Sequence, residues 1–381
     1  MGVSKVNKLK DLIHELCPNS VEYKKLADCC VLEKGNTPIQ KAIPGEFPLV
    51  VTTEERKSCN TYQFDNPTVC IPLVSSRGHG VASLNRLYYQ EGKFALGNIL
   101  CGVTPINSDE LSAKFLFYYL NHKKDTLIVP LMRGGANVSL TVDSLRNIKI
   151  PVPPISVQEE LVYILDKFEA LSFELTAELA ARKKQYKYYR DSLFRFDDKY
   201  VEWTTLDQIS TNCDRQRKPV TKDKRVAGKY PYYGASGIVD YVDDYIFDGD
   251  YLLVSEDGAN LLARSTPIAF SISGKNWVNN HAHVLKFDSE ELRRYVETYL
   301  NSVDLSKYIS GAAQPKLNKD NLNKIPIPVL NSEEMRYMVN VLDQFDALCH
   351  SNSEGLPAEI EARQKQYEFY CDKLLTFKQL P

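Results

Sequence analysis

Between Asp214 and Arg225 the chain places Arg215, Arg217, Lys218, Lys222, Lys224 and Arg225, with only Asp214 and Asp223 to balance them. Six cations in so short a stretch suit either a solvated charged loop or contact with phosphates. Arginine and lysine also present donors that fit base edges, as do asparagine and glutamine. Further along, Tyr233 and Ser236 lie in Tyr233-Gly-Ala-Ser-Gly237, where glycine lets backbone amides approach a phosphate, although an ordinary turn fits equally well. Asn260, Arg264, Asn280 and His281 are candidate polar contacts of the same kind. In the first half of the chain the comparable loop is Ser75-Ser-Arg-Gly-His-Gly80, which carries Ser76, Arg77 and His79. His281-Ala-His283 invites a metal, because alternate residues of a strand share one face. No third ligand has sensible spacing, so Asn279, Asn280 and His281 are read as organising the fold or contacting nucleic acid.

Two loops recur. Arg133-Gly-Gly-Ala-Asn137 and Ser310-Gly-Ala-Ala-Gln-Pro-Lys316 each precede the last expected strand of a unit, which carries Ile150-Pro-Val152 or Ile327-Pro-Val329. Their recurrence argues for a shared role for Arg133, Gln314 and Lys316, either packing or phosphate contact. The recurrence is general. Val21-Glu-Tyr23 returns as Val201-Glu-Trp203, and Phe115–Asn121 returns as Tyr295–Asn301. The offset runs from 177 (Leu165 to Leu342) to 181 (Arg182 to Arg363). Such a period is too long for a solenoid repeat, whose units span about 20–50 residues; it is the size of a domain plus a connector.

Stepping along the chain divides it into five parts: a short N-terminal helix (1–20), a first globular unit (21–155), a central helix (156–198), a second globular unit (199–330) and a C-terminal helical segment (331–381). Strand-like pieces such as Phe47–Thr52 and Val69–Val74, broken by Gly, Pro and Asn, predict mixed α/β units. In Ser156–Phe196 the apolar residues Leu161, Leu165, Phe168, Leu171, Leu175, Leu179, Tyr186, Tyr189 and Leu193 recur mostly at three- and four-residue steps, a coiled-coil seam. About 40 residues at ~1.5 Å each would make a rod of roughly 60 Å. The second copy carries Gly355-Leu-Pro357, which should interrupt the helix. Leu9, Leu12, Ile13 and Leu16 make the N-terminal helix look like a detached tail of that second rod, as if a ring were cut open. A pseudo-two-fold particle with antiparallel rods follows.

A chain of 381 residues with 43% hydrophobic residues can bury more than one core. Its net charge of −2 excludes a uniformly basic coat but not local basic faces. The nine cysteines include no Cys-x-x-Cys, and they read as free buried thiols. With no apolar run of membrane length and no signal-peptide core, a cytoplasmic location is expected.

Taken together, Tyr230–Gly237, Phe247-Asp-Gly-Asp-Tyr-Leu-Leu-Val254, Glu256-Asp-Gly-Ala-Asn260, Trp277-Val-Asn-Asn-His-Ala-His-Val284, the repeated Ile-Pro-Val and Glu359-Ile-Glu-Ala-Arg-Gln-Lys-Gln-Tyr367 resemble the specificity subunit of type I restriction–modification systems. The resemblance covers essentially the whole chain. It implies two α/β target recognition domains, each reading half of a split DNA sequence, joined by two long antiparallel helices as a spacer. It implies double-stranded DNA and two methyltransferase subunits as partners, with restriction subunits where the system also cleaves. S-adenosylmethionine and Mg-ATP would then belong to the partner subunits and none to this chain, in a bacterial or archaeal cytoplasm. Arg182-Lys-Lys184 and Arg363…Lys365 are read either as solvated helix faces or as a partner interface formed by Arg182, Lys183, Arg363 and Lys365. The first domain shares little sequence with Tyr230–Val284, so the two half-sites should differ.

The chain contains no Asn/Asp-Pro-Pro-aromatic element, no phosphate loop and no carboxylate cluster with an adjacent lysine that would mark a nuclease. A non-catalytic reader fits that pattern. A protein-binding scaffold or an unfamiliar nucleic-acid-modifying enzyme are the alternatives.

Overall fold

A computed structural model describes residues 15–17, 20–53, 57–75, 83–135, 137–196, 201–311, 313–351 and 353–379. Ser76, Arg77 and His79, and most of the segment expected to form the N-terminal helix, lie outside the described residues. The chain divides into unit 1 (Met1–Leu175 with Ile360–Pro381) and unit 2 (Thr176–Glu359). Five helices of ten or more residues occur among the described residues: α1 (Ala113–His122), α2 (Ile155–Leu193), α3 (Glu290–Ser302), α4 (Ser332–His350) and α5 (Leu356–Leu374).

Unit 1 is built on an antiparallel sheet ordered Cys30–Lys34, Leu100–Pro105, Thr68–Pro72, Tyr88–Gln90. A second sheet is ordered Lys57–Cys59, Phe47–Val50, Ala95–Leu96, its last pair parallel. Unit 2 repeats the plan. Its main sheet is Thr211–Asn212, Ala282–Lys286, Tyr251–Ser255, Ala269–Ile272. Its second sheet is Gly237–Val242, Ala227–Gly234, Lys275–Val278, Phe247–Asp248, again with one parallel pair in the middle. Thus two stretches with little sequence in common share one topology. The central strands Thr68–Pro72 and Tyr251–Ser255 are buried at every position, which explains their largely apolar character. Each unit closes on a two-stranded ribbon, Tyr23–Lys25 with Lys149–Pro151 and Glu202–Thr205 with Pro326–Val329. Proline is tolerated there because one edge of each strand needs no partner.

Matching residues make matching contacts. Ser112 caps α1 by accepting from the Phe115 amide, and Ser289 caps α3 by accepting from the Leu292 amide. Each helix buries one stripe: Phe115, Leu116, Tyr119 and Leu120 on α1, Tyr295, Val296, Tyr299 and Leu300 on α3. Asn121 Oδ1 accepts from the Leu87 amide at 3.0 Å, and Asn301 Oδ1 accepts from the Ile268 amide at 2.9 Å. Lys114 pairs with Asp166 at 2.8 Å in unit 1, and Arg294 pairs with Asp343 at 2.5 Å in unit 2.

The helices pair within each unit. In unit 1, Phe168 of α2 packs against Tyr367 and Tyr370 of α5, with ring centroids 6.3 and 5.3 Å apart. In unit 2, Phe345 of α4 packs against Tyr186 and Tyr189 of α2 at 6.4 and 5.4 Å. Tyr186 also meets His350 at 5.9 Å, so the partner number falls as α2 advances and these two helices run antiparallel. The seam is thinner than the spacing suggests: α2 buries nothing beyond Phe168, and Tyr189 is 40% exposed. A pair of helices covers each side chain from one direction only, so these tyrosines are half-buried rather than core. The interruption expected at Gly355-Leu-Pro357 separates α4 from α5, and Pro357 sits in the first turn of α5, where its missing N–H costs nothing.

After α5 the chain reaches the first ribbon: the Val21 amide donates to the Lys378 carbonyl at 2.8 Å, and Phe377 packs on Phe115 at 6.3 Å. In unit 2 the segment after α2 does the same, with Phe194 on Tyr295 and Tyr299 and Phe196 on Trp203. The C-terminal tail thus lies against the residue that opens the first ribbon; of the segment expected to form the N-terminal helix, Cys17 is among the described residues and packs on the unit 1 core. All nine cysteines are free and eight are buried. No helix among the described residues is long and apolar enough to cross a membrane.

Candidate nucleic-acid interface

In unit 2, five loops meet at one end of the main sheet. The Glu256 amide donates to the His281 carbonyl, the Leu317 amide to the Glu256 carbonyl, and the Gly258 amide to the Pro315 carbonyl. The Asn279 amide donates to Tyr233, the Ser255 hydroxyl to the Ala235 carbonyl, and the Lys218 amide to Val278. The hairpin turn Tyr233–Gly237, the loops at 256–265, 279–281 and 310–316, and the basic loop 213–225 thus form one surface. Exposed on it are Arg215, Lys218, Ser236, Asn280, His281, Gln314 and Lys316, gathered from sequence positions a hundred residues apart. Gln216 is exposed beside them and was not singled out in the sequence, because a lone glutamine carries no pattern.

Not every candidate points outward. Arg217 is 13% exposed: its Nη1 donates to Glu256 at 2.6 Å and to the Ala282 carbonyl at 2.7 Å, while Nε donates to the Asp214 carbonyl. Arg264 adopts φ 51°, and its guanidinium donates to the Leu300 and Val303 carbonyls at the end of α3. Burial lowers its pKa from the usual arginine value, with Asp304 opposing. Both cations hold the fold. Asn260 closes its own loop by accepting from Ser265 and from the Thr266 amide. His281 faces Asp257 at 2.8 Å, and His283 is buried between Asp214 and the Leu317 carbonyl, so carboxylates occupy the two histidines.

The recurrent glycine loops are structural equivalents. Arg133 bridges Ser139 and Ser310 bridges Lys316, and each closed loop is bridged in turn to the end of a central strand, at Val74 and Asp257. Gly134 and Gly311 have φ of 144° and 81°, and a Cβ on either would strike a carbonyl oxygen four or fewer residues on, at Asn137 or Gln314. Arg133 Nη1 donates to the Pro130 and Met132 carbonyls, and Lys316 pairs with Glu256 at 3.1 Å. In unit 1, a concavity of about 770 Å³ is lined by Thr52, Lys57, Ser75, Asn85 and Arg86. Arg86 lies over the Tyr88 ring at 5.0 Å. Lys57, which follows two glutamates and Arg56, and Arg86 formed no pattern that marked them in the sequence.

On the helices, Arg182 pairs with Glu178 at 2.7 Å and Lys365 with Glu361 at 2.5 Å, both one turn apart, and Arg363 donates to Gln366. Lys183 lines a cleft of about 680 Å³ in unit 2 with Lys187, Arg190, Arg294 and Asp343.

The sequence family described as the type I restriction modification DNA specificity domain matches residues 18–182 and again 200–362. The chain belongs to the type I restriction–modification specificity subunits. The Escherichia coli EcoR124I/EcoR124II specificity subunit is 32% identical over 302 residues, covering 72% of this chain and 73% of that protein. A putative specificity subunit of Haemophilus influenzae is 36% identical over 184 residues, about half of each chain at 47%. The crystal structure of a type I S subunit from M. genitalium shares the fold, with TM-score 0.60 at 17% identity over 94% of this chain and 97% of that one. Each of the two matched segments of this specificity subunit starts just before a ribbon strand, at Tyr23 or Glu202, and ends within a helix of the pairs. The repeated family unit is thus a recognition domain with its own helix.

Proposed function

We propose that the protein is the DNA-reading subunit of a type I complex, in which each unit reads one half of an asymmetric split target. The observation that carries this reading is the gathering of exposed Arg215, Lys218, Asn280, Gln314 and Lys316 on one loop surface of unit 2, in a chain of this family. Arginine and lysine supply phosphate contacts, and asparagine and glutamine supply base-edge donors. The loop surface of unit 1 carries Lys57 and Arg86 in a sequence unlike that of unit 2, which supports two unlike half-sites. The helical segments set the gap between half-sites and dock two methyltransferase subunits through faces that include Arg182, Lys183, Arg363 and Lys365. Those partners bring S-adenosylmethionine and methylate one adenine in each half-site; where a restriction subunit joins, it brings Mg-ATP chemistry. This chain reads and does not catalyse, and it works in the cytoplasm on chromosomal and incoming DNA. Selection from a random duplex pool by the purified complex tests the reading. It should enrich one bipartite motif with an unread gap. An assembled complex that enriches nothing would favour a protein scaffold.

A further inference from the structure

We propose that His283 is a doubly protonated positioning residue that locks two reading loops of unit 2 to each other. Its ring is 1% exposed. Nε2 lies 2.8 Å from the Leu317 carbonyl oxygen, and Nδ1 lies 2.6 Å from Asp214 Oδ2. A carbonyl only accepts, so Nε2 carries a proton. Asp214 is an ionised acceptor too: its Oδ1 takes the Val284 amide at 2.9 Å, and its Oδ2 takes Asn212 Nδ2 at 3.2 Å and faces Arg217 at 3.4 Å. Nδ1 therefore carries the second proton. A neutral ring would aim a buried lone pair at an acceptor, a costly arrangement at this depth.

The surrounding charges agree. Glu256 lies 3.9 Å from Nδ1 and is itself paired with Arg217 and Lys316. Burial alone would raise the Asp214 pKa, but the hydrogen bond and charge of His283, the Val284 amide and Arg217 together hold it below the ordinary value.

The placement gives the network its purpose. Asp214 opens the basic loop that carries Arg215 and Lys218, and Leu317 directly follows the Ser310–Lys316 loop. One imidazolium thus joins the two. Unit 1 lacks this lock. The Leu73 amide donates to Ile99 and its carbonyl accepts from Leu140, as Glu256 does with His281 and Leu317, so Cys101 occupies the place of His283 and Leu73 that of Glu256. Both unit 1 side chains are buried and apolar. The same fold is held by packing in one copy and by charge in the other.

The role in reading rests on the proposed function, so the test separates the two. Nitrogen-15 spectra of the histidine-labelled full chain, with His283→Gln to assign the signals, should show both ring nitrogens of His283 protonated at neutral pH. One unprotonated nitrogen overturns the proposal whatever the DNA results. In the complex with methyltransferase subunits, His283→Gln should weaken discrimination against a mismatch in the half-site read by unit 2 by about tenfold or more, leaving the other half-site unchanged. Asp214→Asn, which removes the carboxylate charge facing Nδ1 while keeping the ring, should show the same one-sided loss. Unchanged discrimination, or equal loss at both half-sites, overturns the positioning role. A wild-type complex without discrimination at either half-site would instead sink the DNA-reading function, and the protonation state would still be read from the spectra.

Discussion

The Arg294 guanidinium donates to the Asp343 carboxylate at 2.5 Å and so binds α3 of the recognition fold to α4 of the helix pair. Lys114 and Asp166 repeat the tie between α1 and α2 in unit 1. Both pairs are partly exposed, so each contributes only about 0.5–1 kcal/mol. The asparagine one face over is worth more. Asn301 satisfies the Ile268 and Ala269 amides and the Ala269 carbonyl. Asn301→Ala should cost about 1–3 kcal/mol through unsatisfied buried groups, and Arg294→Ala visibly less. Denaturant unfolding of the two variants checks the order.

Acid should act on unit 2 through its network. Burial raises the pKa of both Asp214 and Glu256, but His283, Arg217 and, for Glu256, Lys316 outweigh it and leave both below the ordinary range. A carboxylate whose folded pKa is lowered contributes stability that is fully present above its unfolded value, about 4, and is lost as the pH falls through the folded value. The stability gap between wild type and Asp214→Asn should therefore close as the pH falls below about 4. A gap that persisted unchanged to pH 3 would show that the carboxylate charge is not what stabilises.

Salt dependence separates cations that touch phosphate from those that hold the fold. Arg215→Ala and Lys218→Ala should each weaken DNA binding across sequences and lower the magnitude of the log K against log salt slope by about one. Arg264→Ala should instead lower the melting temperature, because its donors cap α3. A salt slope unmoved by the first two substitutions would remove the basic loop from the interface.

Spacing and reading should be separable. One extra heptad within Leu175–Tyr189, where α2 buries no side chain, should lengthen the unread gap or abolish assembly. Replacing residues 199–330 by another recognition domain should change one half of the target only. Sequencing the selected DNA reads both outcomes; an unchanged gap with full activity would contradict the spacer role.

Much of this was legible in the sequence because the repeat reveals itself residue by residue. The Asn121/Asn301 and Asp166/Asp343 pairs stand at matching positions and make matching contacts. Glycine and proline at 355 and 357 gave the helix break for the usual steric reasons. The common topology of the two domains was not legible, since the unit 1 strands run only two to six residues and their register joins distant segments such as Cys30 and Pro105. Nor was the fate of individual cations. Composition identifies Arg217 and Arg264 as donors, but whether a guanidinium meets solvent or a carbonyl depends on tertiary neighbours and, at Arg264, on a left-handed backbone.

The most direct test is modification mapping in a host free of DNA methylation, expressing the neighbouring methyltransferase with this chain, without it, and with Arg215→Ala/Lys218→Ala. The account predicts methyladenine at a single asymmetric split motif that appears only with the chain and weakens in the double variant. No chain-dependent methylation from a complex shown to assemble would contradict it.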